Sequence, residues 1–194
     1  MQARAAALSA LATDQGFPFW GACGTMQRGG ALVEQGQSAE GMAQMCQGIA
    51  AWRATGAELQ RPYYLALLAE ACGKAGQTEE GLSVLAEALT AVHKTGECQS
   101  EAEIYRLKGE LLLKQDVPNE QEVESYLRQA VNVACQQQAK SLELRAAMSL
   151  ARLWQQQGKR AEAHVLLVSV YNWFTEGFDT SDLQEAKVLL ESLA

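Results

Sequence analysis

The stretch LELRAAMSLARLWQQQGKRAEAHVLL, Leu142 to Leu167, decides the fold. Ala147, Leu150, Ala151 and Trp154 recur at helical spacing, and after a break Ala163, Leu166, Leu167 and Val170 do the same. An apolar stripe at i, i+3, i+4 and i+7 belongs to a helix that must bury one side. Between the stripes stands Gln157-Gly158-Lys159. Glycine closes a helix at little cost because it enters the left-handed region without a Cβ penalty. The segment therefore reads as a helix hairpin. One hairpin cannot bury its own apolar face, so it needs copies of itself.

The rest of the chain supplies them. Glycine precedes a second helix in EQGQSAEG (Gly36), KAGQTEEG (Gly76) and QQGKRAEA (Gly158), at steps of 40 and 82. The copy between the last two turns instead through KQDVPN, Lys114 to Asn119. A second marker, a small or apolar residue in the second helix, falls at Gly48, Ala88, Ala130 and Val170, at steps of 40, 42 and 40. Two independent markers agree on a period near 41, the signature of a helical repeat array. The expected units are 17–56, 60–96, 99–138 and 140–177, within one domain over 1–194. A half-repeat helix over 2–13 precedes them and a C-terminal helix over 179–193 follows. The fourth second helix is expected at 160–175. Asn119 is a plausible N-cap, and Pro62 suits a first helical turn, where its missing N–H is harmless. Small residues recur in the first helices (Gly29, Ala69, Gly109, Ala151) and where the second helices open (Gly41, Gly81, Val123, Ala163). A mid-helix glycine costs roughly 0.5–1 kcal/mol relative to alanine. Its return at fixed spacing implies that helix backbones approach closely there.

Composition narrows the function. The 194 residues are 48% apolar with three prolines, which favours a packed helical chain. A net charge of −7 disfavours nucleic acid or an anionic membrane as partner. No apolar run approaches the roughly 20 residues of a membrane span. The opening MQARAAALSALATDQG only superficially resembles a signal segment and reads better as a helix that starts mid-repeat. Five cysteines (Cys23, Cys46, Cys72, Cys98, Cys135) form no C-x-x-C, so neither a zinc site nor a redox motif is signalled. They fit a reducing cytoplasm. GxxxxGK[ST], GxGxxG, HExxH and GxSxG are all missing, and His93 and His164 lie on different repeats. No catalytic residue, metal or cofactor is expected. Trp20, Trp52, Trp154 and Trp173 sit within apolar faces and are expected in the core. Glu79-Glu80 and the glutamines 136–138 read as solvated helix ends.

Leu150, Ala151, Trp154, Gly158, Ala163 and Leu167 resemble the tetratricopeptide repeat (TPR). Leu68, Ala69, Gly76, Gly81, Leu85 and Ala88 fit it next, then Leu107, Gly109, Leu112, Val123, Leu127 and Ala130. Gly29, Leu32, Gly36, Gly41, Met45 and Gly48 fit weakly. The period is longer than the usual 34 residues, the proline ending the second helix is missing, and Cys72 stands where tyrosine is common. The resemblance implies an all-α, right-handed superhelix of antiparallel hairpins. It also implies that the first helices present a concave binding face made of Tyr63, Ala66, Glu70 and Lys74, then Glu103, Arg106, Glu110 and Lys114, then Arg145, Met148, Arg152 and Gln156. Two readings of that face stand open: a charged surface paired with itself, or a groove for an extended or helical protein segment whose acidic groups meet the arginines.

AEIYRLKGELLL (102–113), KSLELRAAMSLARLWQQQGKRAEA (140–163) and VYNWFTEGFDTSDLQEAKVLLESL (170–193) further resemble the C-terminal region of bacterial multidomain proteins that carry nucleotide cyclase and ATPase domains. That implies a non-catalytic, cytoplasmic regulatory or assembly arm, with a protein or peptide segment as partner, including other domains of its own parent chain. One alternative is a self-association module in which Leu183, Leu190 and Leu193 meet a second copy rather than cap the last repeat. Another is a small-molecule sensor, for which no motif speaks.

Overall fold

The computed structural model describes residues 2–194. Among them the chain forms ten helices and no strand. They are α1 (Gln2–Asp14), α2 (Pro18–Glu34), α3 (Ser38–Ala54), α4 (Arg61–Lys74), α5 (Thr78–Thr95), α6 (Glu101–Leu113), α7 (Glu120–Gln136), α8 (Lys140–Gln156), α9 (Arg160–Tyr171) and α10 (Ser181–Leu193). The chain divides into two compact units, Met1–Glu97 and Cys98–Ala194.

In the first unit α2 pairs with α3 and α4 with α5, while α1 packs on α2. Turns close as the sequence requires: Gly36 and Gly76 take φ +82° and +76°, where a side chain would be strained. Pro62 falls in the first turn of α4, as expected. The α2–α3 crossing explains the helix-interior glycines. A Cβ on Gly29 would lie 2.5 Å from the carbonyl oxygen of Gly41, and one on Gly41 would lie 2.6 Å from that of Gly29. The two backbones touch where side chains would hold them apart. Met26, Met45, Ile49, Trp52, Leu68 and Cys72 fill the core of this unit.

In the second unit α6 pairs with α7 and α8 with α9, and α10 lies on α8 and α9. Asn119 caps α7 by accepting a hydrogen bond from the Glu122 N–H at 3.4 Å. The core gathers Val123, Leu127, Leu150, Trp154, Leu167 and Val170. Onto it α10 lays Leu183, Ala186, Leu189 and Leu193, so the apolar stripe of the last helix is used inside its own unit. Leu189, rather than Leu190, takes the deep position.

Two expectations need correction. Helix α9 ends at Tyr171 rather than 175. The Trp173 and Phe174 N–H groups bond three residues back, to Val170 and Tyr171, which tightens the last turn and turns the chain out of the helix. Not every tryptophan is core: Trp52 and Trp154 are buried, but Trp20 is 54% and Trp173 59% exposed. Trp20 sits in the first turn of α2 and meets the edge of Phe19, whose ring centroid in turn lies 6.4 Å from that of buried Trp52.

Candidate functional site

The first unit holds a groove of about 700 Å³ between α2 and α4. Its α2 wall is Met26, Gln27, Gly30, Val33 and Glu34, one face through more than two turns. Its α4 wall is Tyr63, Tyr64, Leu67, Glu70, Ala71 and Lys74, another such face. Met45 of α3 and Arg4 of α1 complete the lining. Two cross-links hold the walls in register. The Tyr64 hydroxyl lies 3.5 Å from Cys23 Sγ, and Lys74 Nζ donates to Glu34. Both run in the same sense along the two helices, so α2 and α4 are parallel.

The groove is apolar along its floor and charged at one end. There Lys74 also meets Glu70 at 3.2 Å, so one ammonium serves two carboxylates. Burial lowers its proton affinity, but the bonds and charges of Glu34 and Glu70 outweigh that and raise it. At the other end burial, with Cys23 adding, raises the Tyr64 phenol and keeps it neutral. Tyr63 packs edge-on against Tyr64 and is 47% exposed.

Tyr63, Glu70 and Lys74 of the expected face are thus brought together, and Ala66 is buried beneath them. Sequence reasoning did not select the α2 wall, Arg4, Met45 or Leu67 as binding residues. The signal was present: Met26, Gly30 and Val33 step by four and three, as Tyr63, Leu67 and Glu70 do.

The expected residues of the second unit are arranged differently. Arg106 is 6% exposed. It donates to Glu103 at 2.9 and 2.6 Å and to Glu110 at 2.5 Å. From α8, Arg145 reaches Glu103 at 2.9 Å and the Ser149 hydroxyl donates to Glu110 at 2.7 Å. The two carboxylates outweigh burial and raise the proton affinity of the guanidinium further. Met148 is 3% exposed and packs in the core on the same side of α8 as Ala147 and Ala151. Arg152 pairs with Glu185 of α10 at 3.1 Å, at the edge of a shallower depression of about 360 Å³. Lys114, at the C-cap of α6, and Gln156, near the end of α8, are exposed. Glu103, Arg106, Glu110 and Arg145 are thus paired with one another across α6 and α8.

No group of three or more His, Cys, Asp or Glu side chains among the described residues could hold a metal ion. No described helix is long and apolar enough to cross a membrane. All five cysteines are free thiols.

No family model and no curated protein matches the sequence. Solved structures do. One is a Podosopora anserina protein assigned as a kinesin light chain, with nearly identical TPR-like repeats: 21% identity, 87% of this chain and 83% of that one, TM-score 0.65. A point variant of a Podosopora anserina protein assigned in the same way aligns at 21% identity over 87% and 91% of the two chains, TM-score 0.63. The fold is a TPR-like helical repeat. At this identity the likeness speaks for the fold alone.

Proposed function

We propose that this TPR-like chain is a non-catalytic scaffold that binds a protein segment in the α2–α4 groove of its first unit. One observation carries the reading: an open groove of about 700 Å³ lined by partly exposed Leu67 and the buried edges of Met26, Val33 and Met45, rimmed by tyrosine and charge. Apolar anchors in such a cleft supply affinity, and a few polar groups at the rim set register. Its walls are rigid helices, so little ordering entropy is lost on binding. The methionines suit variable partners because their unbranched side chains repack. Service as a regulatory or assembly arm of a larger signalling chain rests on the sequence resemblance of 102–113, 140–163 and 170–193; on that reading the bound segment comes from a neighbouring domain.

A random peptide library selected on the whole 194-residue chain tests the site. Selected peptides should weaken by about tenfold or more on Leu67→Glu and on Tyr63→Ala, the scale of a hot-spot loss. Binding indifferent to both substitutions contradicts the assignment.

A further inference from the structure

Gly30 stands inside α2 with no reason within the fold to be glycine. Its neighbour Gly29 must be one, because a Cβ there would strike the Gly41 carbonyl oxygen. A Cβ on Gly30 would meet nothing within 4 Å among the described residues, and its backbone is ordinary helix. A glycine in a helix interior costs stability relative to alanine. The missing side chain opens the α2 wall of the groove, midway between Met26 and Val33–Glu34. It is the kind of gap that lets another backbone come close.

The groove also selects the shape of what enters. Its α2 wall spans about 12 Å and its α4 wall about 16 Å, at a rise of roughly 1.5 Å per residue. The walls are helices whose backbone groups bond internally, and between them lie Leu67 and the buried edges of Met26, Val33 and Met45. The Tyr64 hydroxyl is engaged by Cys23, and Lys74 by two carboxylates. An extended strand laid here would find partners for its N–H and C=O groups only in the few side chains of Arg4, Gln27 and Tyr63. A helix brings its backbone already satisfied.

Charge sets direction. Glu34 and Glu70 share the one Lys74 ammonium, and α2 and α4 both end there, turning the negative ends of their dipoles the same way. A helix entering antiparallel to both brings its positive N-terminal end to that point. The remaining charged residue of the lining is Arg4, on the α1 side.

Resting on the groove reading above, we propose that the occupant is an amphipathic α-helix of a partner protein. It lies antiparallel to α2 and α4, its apolar stripe on Leu67, Tyr63 and the accessible edges of Met26 and Met45, and its backbone closest at Gly30. A lysine or arginine in its first turns faces Glu34 and Glu70, and an acidic side chain meets Arg4.

Two displayed libraries of peptides about 14 residues long, roughly four helical turns, test this on the whole chain. One randomises a single face of an Ala/Glu/Lys helical host. The other carries the same randomised residues around a central Pro-Pro, which forbids helix. The helical library should yield binders that lose about tenfold or more in Kd on Leu67→Glu and on Gly30→Leu, each variant first shown helical by circular dichroism. Gly30→Ala should raise Tm while weakening the same binders, which a purely structural glycine would not do. Binders drawn only from the proline library and lost on Leu67→Glu overturn the helix and leave the groove standing. Helical binders indifferent to Gly30→Leu overturn the close approach at Gly30. No binder from either library, or binders indifferent to Leu67→Glu, removes the groove reading and the helix with it.

Discussion

Arg106 is buried although Glu103, Arg106 and Glu110 spell a polar stripe. Their spacing of three and four shows that they share a face of α6. It cannot show that α8 brings Arg145 and Ser149 against the same carboxylates. That closure comes from residues about 40 positions away, so local pattern could not separate a binding face from a paired one. Removing one member of a buried ion cluster strands the others. Arg106→Ala should therefore cost roughly 3 kcal/mol in urea unfolding; a loss under about 0.5 kcal/mol would mean the cluster is no more than surface pairing. The thiols give a second check. Burial, with Glu80 and Cys46 adding, pushes Cys72 up to about 11. Cys98 and Cys135 are exposed. Near pH 8, iodoacetamide should label Cys98 and Cys135 well before Cys72, read by peptide mass spectrometry, since the thiolate is the reacting form.

Adjacent glycines separate packing from binding at the scale of the helix. Gly29→Ala puts a methyl group against the α3 backbone and should cost about 1–3 kcal/mol. Gly30→Ala meets open space and should gain roughly 0.5–1 kcal/mol. Thermal unfolding of the two variants with opposite signs supports the α2–α3 crossing as described; equal effects contradict it. The repeat spacing of small residues made the first of these legible, because the fold demands Gly29. The sequence held no contact that would set Gly30 apart from it. Helix α7 carries a pH signal. Burial opposes ionisation of Glu124, but Arg128 and Lys159 outweigh it, so its folded pKa lies below the ordinary carboxylate value. A depressed folded pKa gives stability that is present above the unfolded value and lost as the pH falls through the folded one. The Tm gap between the wild type and Glu124→Gln should be widest near neutrality and close in acid. A gap independent of pH would show that the pairing is not the cause.

Across the whole molecule, nearly every helix was legible from a period near 41 and its glycine turns. The exceptions follow from features that repetition does not encode. Helix α9 stops early because its last turn tightens after Val170, and Trp20 stays 54% exposed because Phe19, beside it in the first turn of α2, takes the place against Trp52. The candidate site was half visible. Tyr63, Glu70 and Lys74 were named from the repeat pattern on α4, but the α2 wall belongs to the repeat that matched most weakly, and Met26, Gly30 and Glu34 went unnamed. The two units differ in what they offer: the first keeps an open apolar groove, while in the second the corresponding helices spend their charges on each other. The most direct measurement is a methyl NMR titration of the whole chain with a selected peptide. The account predicts shifts concentrated on the methyls of Met26, Met45 and Leu67, with Met148 still. Shifts centred instead on Met148 and the leucines of α8 would contradict it.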